Sequence, residues 1–147
     1  MNPENCEAAL VSSLSLVLDE ATFVFGEPSP EPPEFDGPIL ESSLSFSGDA
    51  SGRLVLRATE TTAMELASAL LGVDPGEANV DSATAAMGEL LNMAAGVFMT
   101  ELFGADVLVQ LAPPTVLPSA EGGEDGDVTL VSFVTDDDQR LDFAVKL

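Results

Sequence analysis

Residues 80–103, VDSATAAMGELLNMAAGVFMTELF, most restrict what this chain can become. No proline interrupts them and Gly104 follows at once, so the stretch reads as one helix. At a rise of about 1.5 Å per residue it is about 36 Å long, which is long for a small domain. Such a helix needs a broad apolar partner to lie on. Stepping about 100° per residue puts Met87, Leu91, Ala94, Ala95, Phe98 and Leu102 on one side, which is the core face. The opposite stripe holds Asp81, Ser82, Ala85, Glu89, Asn92, Gly96 and Thr100.

That stripe can be read as an ordinary solvated side. Its composition favours a docking surface instead. Solvated stripes mix lysine and arginine with glutamate, and this one has no basic residue. Ala85 and Gly96 stand where long polar side chains are easily placed. Glycine inside a helix costs about 1 kcal/mol relative to alanine, so a bare position invites close approach.

The rest of the chain supplies the partner for the core face. Asn2-Pro3-Glu4 carries helix-start chemistry, and Ala9, Leu10, Leu14, Val17, Leu18 and Phe25 recur near helical spacing up to Gly26, which is expected to end that helix. Residues 27–38, EPSPEPPEFDGP, hold five prolines and four acids, so they form an extended acidic loop. ILESSLSFS and RLVLRA flank GDASG as a hairpin. Thr59 caps the helix ETTAMELASALLG, which Gly72 ends. Beyond the long helix, DVLVQLA is a strand stopped by Pro113 and Pro114, and residues 118–127 form a second acidic loop. VTLVSFV and RLDFAVKL flank TDDDQ as another hairpin. In the last strand Leu141, Phe143, Val145 and Leu147 alternate with Arg140, Asp142, Ala144 and Lys146, which predicts one core face and one solvated face.

The predicted order is α, β, β, α, then α, β, β, β, in a single domain over 1–147. Both long helices close on an aromatic–glycine step, FVFG and ELFG, which hints at two related halves. The fold class is α+β.

Charge and residue types narrow the chemistry. Twenty-six acids face four basic residues, Arg53, Arg57, Arg140 and Lys146, for a net charge of −22. Nucleic acid and anionic membrane are repelled, and a partner with a basic patch is favoured. No histidine is present, so histidine-based triads and zinc sites are excluded. Cys6 is the one cysteine, so no internal disulfide forms. No basic leader precedes an apolar core at the N-terminus, and no apolar run reaches the ~20 residues a bilayer requires. A soluble, cytoplasmic protein is expected.

Glu89 and Asn92 are the candidate chemical pair. A carboxylate serves as a general base or pairs with a partner's lysine. A carboxamide donates and accepts hydrogen bonds without taking a proton, so it can hold water in line for attack. In phosphoryl hydrolysis such positioning suffices. The chain offers no metal cluster beside the pair, so metal and phosphate would come with the partner.

MGELLNMAAGVF resembles the Glu-x-x-Asn helix of the CheX/CheC/FliY phosphatases of bacterial chemotaxis. The family pattern places a proline just over twenty residues after the Asn, a place filled here by Pro113 and Pro114. It also places Asp or Ser four residues before the Glu, where this chain has Ala85; Asp81 and Ser82 lie one turn earlier on the same stripe. GDASGRLVLRATETTAMELASALLG is similar to the family's hairpin and short helix, and LVSSLSLVLDEATFVFG to its first long helix.

The resemblance implies a fold of two long antiparallel helices and a short one packed on antiparallel sheet, formed from two related halves. It also implies hydrolysis of the aspartyl phosphate on a phosphorylated CheY-like response regulator. Glu89 would pair with the regulator's lysine and Asn92 would orient the water. Mg²⁺ would sit on the regulator, with none bound by this chain. Aligning Gly26 with Gly104 sets Val11 and Leu14 opposite Glu89 and Asn92, so only the second half is equipped, as in CheX-type members. The same resemblance implies a homodimer joined through the sheets. Two other readings stay open: a non-catalytic interaction module on this fold, and an acidic adaptor whose charge does the work.

Overall fold

The computed structural model describes residues 3–119 and 128–147. The cap expected at Asn2 and most of the acidic loop at 118–127 lie outside the described residues. Among them are α1 (Pro3–Val17), β1 (Gly26–Pro28), β2 (Ile39–Gly48), β3 (Gly52–Thr59), α2 (Glu60–Leu71), α3 (Val80–Phe103), β4 (Val109–Leu111), β5 (Thr115–Ser119), β6 (Val128–Thr135) and β7 (Arg140–Lys146).

The strands form one antiparallel sheet in the order β1-β6-β7-β3-β2-β4, with β5 also on β2. This order is symmetric about the β7–β3 seam. The hairpin β2–β3 mirrors β6–β7, and β1 mirrors β4. Each short strand pairs with the hairpin of the other half. The helices follow suit: α1 packs on β6 and β7, and α3 on β2 and β3. The two related halves are therefore interleaved.

The core lies between the helices and one face of the sheet. Phe98 on α3 meets Phe143 on β7 edge-on, with ring centroids 6.3 Å apart. Leu10, Leu14 and Leu18 from α1, Met87, Leu90, Leu91, Ala94 and Ala95 from α3, and Leu54, Leu56, Phe133 and Leu141 from the sheet fill the rest. The core face of α3 is as the periodicity predicts, except that Leu102 is only half-buried.

Local chemistry sets the helix ends. Thr59 Oγ1 accepts the Thr62 N–H at 3.1 Å at the start of α2, and Gly72 ends it at φ 71°. Asn79 caps α3 by accepting the Ser82 N–H at 2.9 Å, while Ser82 Oγ accepts the Asn79 N–H at 2.7 Å. This reciprocal pair satisfies two otherwise orphaned donors.

Four expectations need correction. The first helix does not run to Gly26. Leu18–Thr22 widens into a π turn, and the Leu18 carbonyl takes the Phe23 N–H, the Val24 N–H at 3.2 Å and the Thr22 hydroxyl at 2.6 Å. Phe23 then turns left-handed and the chain leaves. Gly26 opens β1, where a Cβ would lie 3.2 Å from Leu18 Cδ1. The two aromatic–glycine steps are thus not equivalent. Second, residues 27–38 begin with the short edge strand β1. Third, the strand expected at 106–112 shrinks to β4, and β5 follows despite Pro118. Pro113 and Pro114 break one edge strand into two, both paired to the long β2. Edge strands tolerate proline because one row of donors is unpaired.

The fourth correction concerns the second face of β7. Asp142 and Ala144 are 5% and 2% exposed. Arg140 forks onto Asp142 with two 2.9 Å contacts, lies 4.3 Å over the Phe35 ring, and donates to the Pro33 carbonyl at 3.1 Å. The proline-rich segment is thereby strapped to this side of the sheet. Arg53, Arg57, Arg140 and Lys146 alternate with core-facing residues on β3 and β7, so all four cations project from the face away from the helices.

Candidate functional site

The sheet, the β5 edge, α1 and α2 all pack against α3. Its apolar side faces the sheet. On one flank Gly88 lies against β5, where a Cβ would sit 3.6 Å from Pro114 Cγ and 3.7 Å from Val116 Cγ2. On the other flank α1 runs antiparallel: Asn5, Ala8 and Ser12 share a groove with Glu101 and Leu102, and Ser12 Oγ donates to Glu101 Oε1 at 2.8 Å. The stripe is the side left open.

Asp81, Ala85, Glu89, Asn92, Gly96 and Thr100 are all exposed along it. Glu89 and Asn92, three residues apart, project from neighbouring turns and can engage one target together. Neither has a hydrogen-bond or ion-pair partner among the described residues. The other stripe residues differ in availability. The Ser82 hydroxyl is engaged in the cap of α3, and Thr100 Oγ1 donates to the Gly96 carbonyl at 3.3 Å. Asp81 is free to face a partner. Ala85 offers a methyl group only. A Cβ on Gly96 would meet nothing within 4 Å, so internal packing does not require glycine there.

Pro114 reaches α3 one residue before Glu89, whereas Pro113 is exposed between β4 and β5. The first half carries no counterpart of the pair. Leu14 is fully buried and Val11 is packed against the core.

Electrostatically the stripe carries Asp81 and Glu89 and no cation, because the cations lie on the opposite side of the sheet. An ammonium or guanidinium group on a partner meets no competing internal partner at Glu89. Asn92 presents both donor and acceptor to solvent. The pair has the makings of an anchor beside a water-holding group. Met93, 36% exposed beside Asn92, was not singled out from the sequence. Its angular position, about 40° from Glu89 on the helix, is the signal that marks it.

A family model described as chemotaxis phosphatase CheX matches residues 42–132, well over half of the chain. The chain belongs to this family. The matched region takes in the β2–β3 hairpin, α2, the whole of α3 and most of β6. Solved CheX structures share the fold. CheX from Desulfovibrio desulfuricans superposes with a TM-score of 0.74 at 18% identity, covering 97% of this chain and 98% of that one. CheX from Vibrio vulnificus gives 0.74 at 19%, covering 94% and 93%. A CheX–CheY–BeF3–Mg²⁺ complex from Borrelia burgdorferi gives 0.71 at 18%, covering 94% of each chain. A search of curated proteins gave no match. No helix among the described residues of this CheX-family chain is long and apolar enough to cross a membrane.

Proposed function

We propose that this chain is a phosphatase of phosphorylated CheY-like response regulators. The observation that carries the reading is the Glu89–Asn92 pair: two exposed, unpartnered side chains one helical turn apart on α3, beside Pro114, in a CheX-family fold. Glu89 pairs with the lysine of the regulator's active site and sets the approach. Asn92 enters that site and holds a water in line with the phosphorus. The water oxygen bonds to phosphorus as the bond from phosphorus to the aspartyl oxygen breaks, leaving a carboxylate and inorganic phosphate. Asn92 takes no proton. It removes the disorder of the attacking water, and orientation of this kind carries much of a displacement barrier. Phosphate and Mg²⁺ both belong to the regulator in this reading, and the encounter takes place in the cytoplasm. The resemblance also makes the working unit a homodimer joined through the sheets. Sedimentation as a monomer at micromolar concentration counts against that part alone.

The test follows phosphate loss from phosphorylated CheY-type regulators of the same organism. Asn92→Ala is expected to slow the accelerated hydrolysis roughly 100-fold while binding persists. Unchanged hydrolysis in that variant removes the proposal.

One observation favours a second reading, a non-catalytic module that binds the regulator. Ala85 replaces the family's polar residue, and of the two residues one turn earlier on the stripe Ser82 is engaged in the helix cap, which leaves Asp81 alone to stand in for it. Wild-type chain that binds a phosphorylated regulator without accelerating phosphate loss establishes this reading.

A further inference from the structure

Glu89 and Asn92 lie along one helix, so on their own they leave a partner free to roll about that line. A carboxylate–lysine pair in water is also weak, because solvent screens it. Holding a phosphate in line with the Asn92 carboxamide therefore needs a contact off the stripe.

The seam between α3 and α1 supplies one. Helical spacing puts Met93, exposed, on the same side of Asn92 as Glu101, the residue bonded to α1, and Val97 lies one turn beyond it, half-buried. The Ser12–Glu101 hydrogen bond fixes the register of the two helices. Because they are antiparallel, Leu16, four residues past Ser12, comes level with Val97, four residues before Glu101. Leu16 is 40% exposed. This register places Leu16 beside Val97 across the seam, with Met93 one turn further along α3. Gly96 lies on the open side of these residues and exposes bare backbone there.

Lone exposed leucines are unremarkable on a protein surface. Here three apolar residues from two helices adjoin Asn92 and an unfilled glycine, on a chain whose net charge is −22. Acidic groups border these residues: Asp19 and Glu20 just past α1 and Glu89 on α3. An apolar segment flanked by a lysine fits that pattern.

We propose that Leu16, Met93 and Val97 form the ledge on which an apolar helix or loop beside the regulator's phosphorylation site rests, and that the ledge selects which regulator presents its phosphate to Asn92. This rests on the phosphatase reading above. It adds α1 to a site so far confined to α3. Glu89 fixes one end of the partner, the ledge stops its rotation, and Gly96 allows its backbone to come close.

The experiment titrates CheY-type regulators of the same organism, loaded with beryllofluoride and Mg²⁺, against wild type, Leu16→Ser/Met93→Ser and Asn92→Ala. Phosphate loss from the phosphorylated regulators is followed in parallel. The double serine variant is expected to bind at least tenfold more weakly, with the loss in hydrolysis falling on KM rather than kcat. Asn92→Ala is expected to bind as wild type and lose hydrolysis. Binding of the double variant within twofold of wild type overturns the ledge. If Asn92→Ala still loses hydrolysis, the phosphatase reading survives that result. Retained hydrolysis in Asn92→Ala overturns the phosphatase reading instead, and the binding arm still judges the ledge. Wild type that binds no regulator overturns both. Leu16→Gln alone, a change at an exposed position, keeps the binding arm decisive if the double variant melts early.

Discussion

Pro114 lies against Gly88, with its ring carbon 3.6 Å from where a Gly88 side chain would begin. The contact fastens the broken edge strand β4–β5 to α3 one residue before Glu89. The spaced proline thereby buttresses the turn of helix that carries the pair. A methyl group fits at ordinary contact distance, so Gly88→Ala is expected to gain up to about 1 kcal/mol from helix propensity. Gly88→Leu overfills the gap and is expected to lose about 1–3 kcal/mol. Thermal denaturation of the two variants checks the signs, and a Gly88→Ala protein that melts below wild type speaks against this packing.

Gly96 is the contrasting case. Nothing lies within 4 Å of a Cβ built there. Gly96→Ala is expected to raise stability by about 1 kcal/mol, a rise of about 3 °C in Tm for a domain of this size. If the glycine serves close approach of a regulator, the same substitution weakens regulator binding. Opposite signs in the melt and the titration are the expected result. An alanine variant that gains stability and binds as well as wild type shows the glycine to be incidental.

The long elements were readable because one period governs each of them. Residues 80–103 keep a helical repeat without a proline, and Thr59, Gly72 and Gly104 sit where the helix ends fall. The pairings in β2–β3 and β6–β7 follow from alternation and turn residues. What escaped depends on contacts distant in sequence. The strand at 115–119 contains Pro118 and exists because the long β2 offers a second edge. The second face of β7 alternates like a solvated face, yet Arg140, Phe35 and Pro33 close over Asp142. The Glu89–Asn92 stripe was visible from helical angles alone. The seam with Leu16 was not, because the register of two helices is set by tertiary contacts.

The end of α1 shows how a side chain overrides a helical pattern. The Thr22 hydroxyl and two backbone donors converge on the Leu18 carbonyl, and Phe23 is left at φ 59° and 84% exposed. A residue with a Cβ loses roughly 1–2 kcal/mol in that conformation, and a phenylalanine in solvent recovers little of it. Phe23→Gly is expected to stabilise the fold by up to about 1 kcal/mol, the added freedom of the unfolded chain offsetting part of the relief. Chemical denaturation measures it. A destabilised Phe23→Gly protein shows that the ring contributes contacts that outweigh the strain.

Across the middle of the sheet, Glu41, Arg57 and Asp142 stand in register on β2, β3 and β7. Arg57 is 3% exposed and donates from Nε at 2.8 Å and Nη2 at 2.7 Å to one Glu41 oxygen. Ser119 Oγ adds a contact to the same oxygen at 3.2 Å, tying β5 into the row. Removing the arginine leaves Glu41 with the Ser119 hydroxyl and the more distant Arg53, 3.7 Å away, while Asp142 keeps its fork to Arg140. Arg57→Met is expected to cost about 2 kcal/mol, because Glu41 loses its two shortest charge-assisted contacts and its remaining partners replace them only in part. Arg57→Lys is expected to recover only part of that, since an ammonium cannot reproduce the fork. Replacing both partners, Arg57→Met with Glu41→Leu, is expected to restore much of the loss. Urea denaturation of the three variants provides the values. The contribution should also persist in 1 M salt, where the screening length falls to about 3 Å, because the pair is shielded from solvent. Arg57→Met as stable as wild type would mean that the row holds no net energy and that β3 is fixed by its apolar face alone.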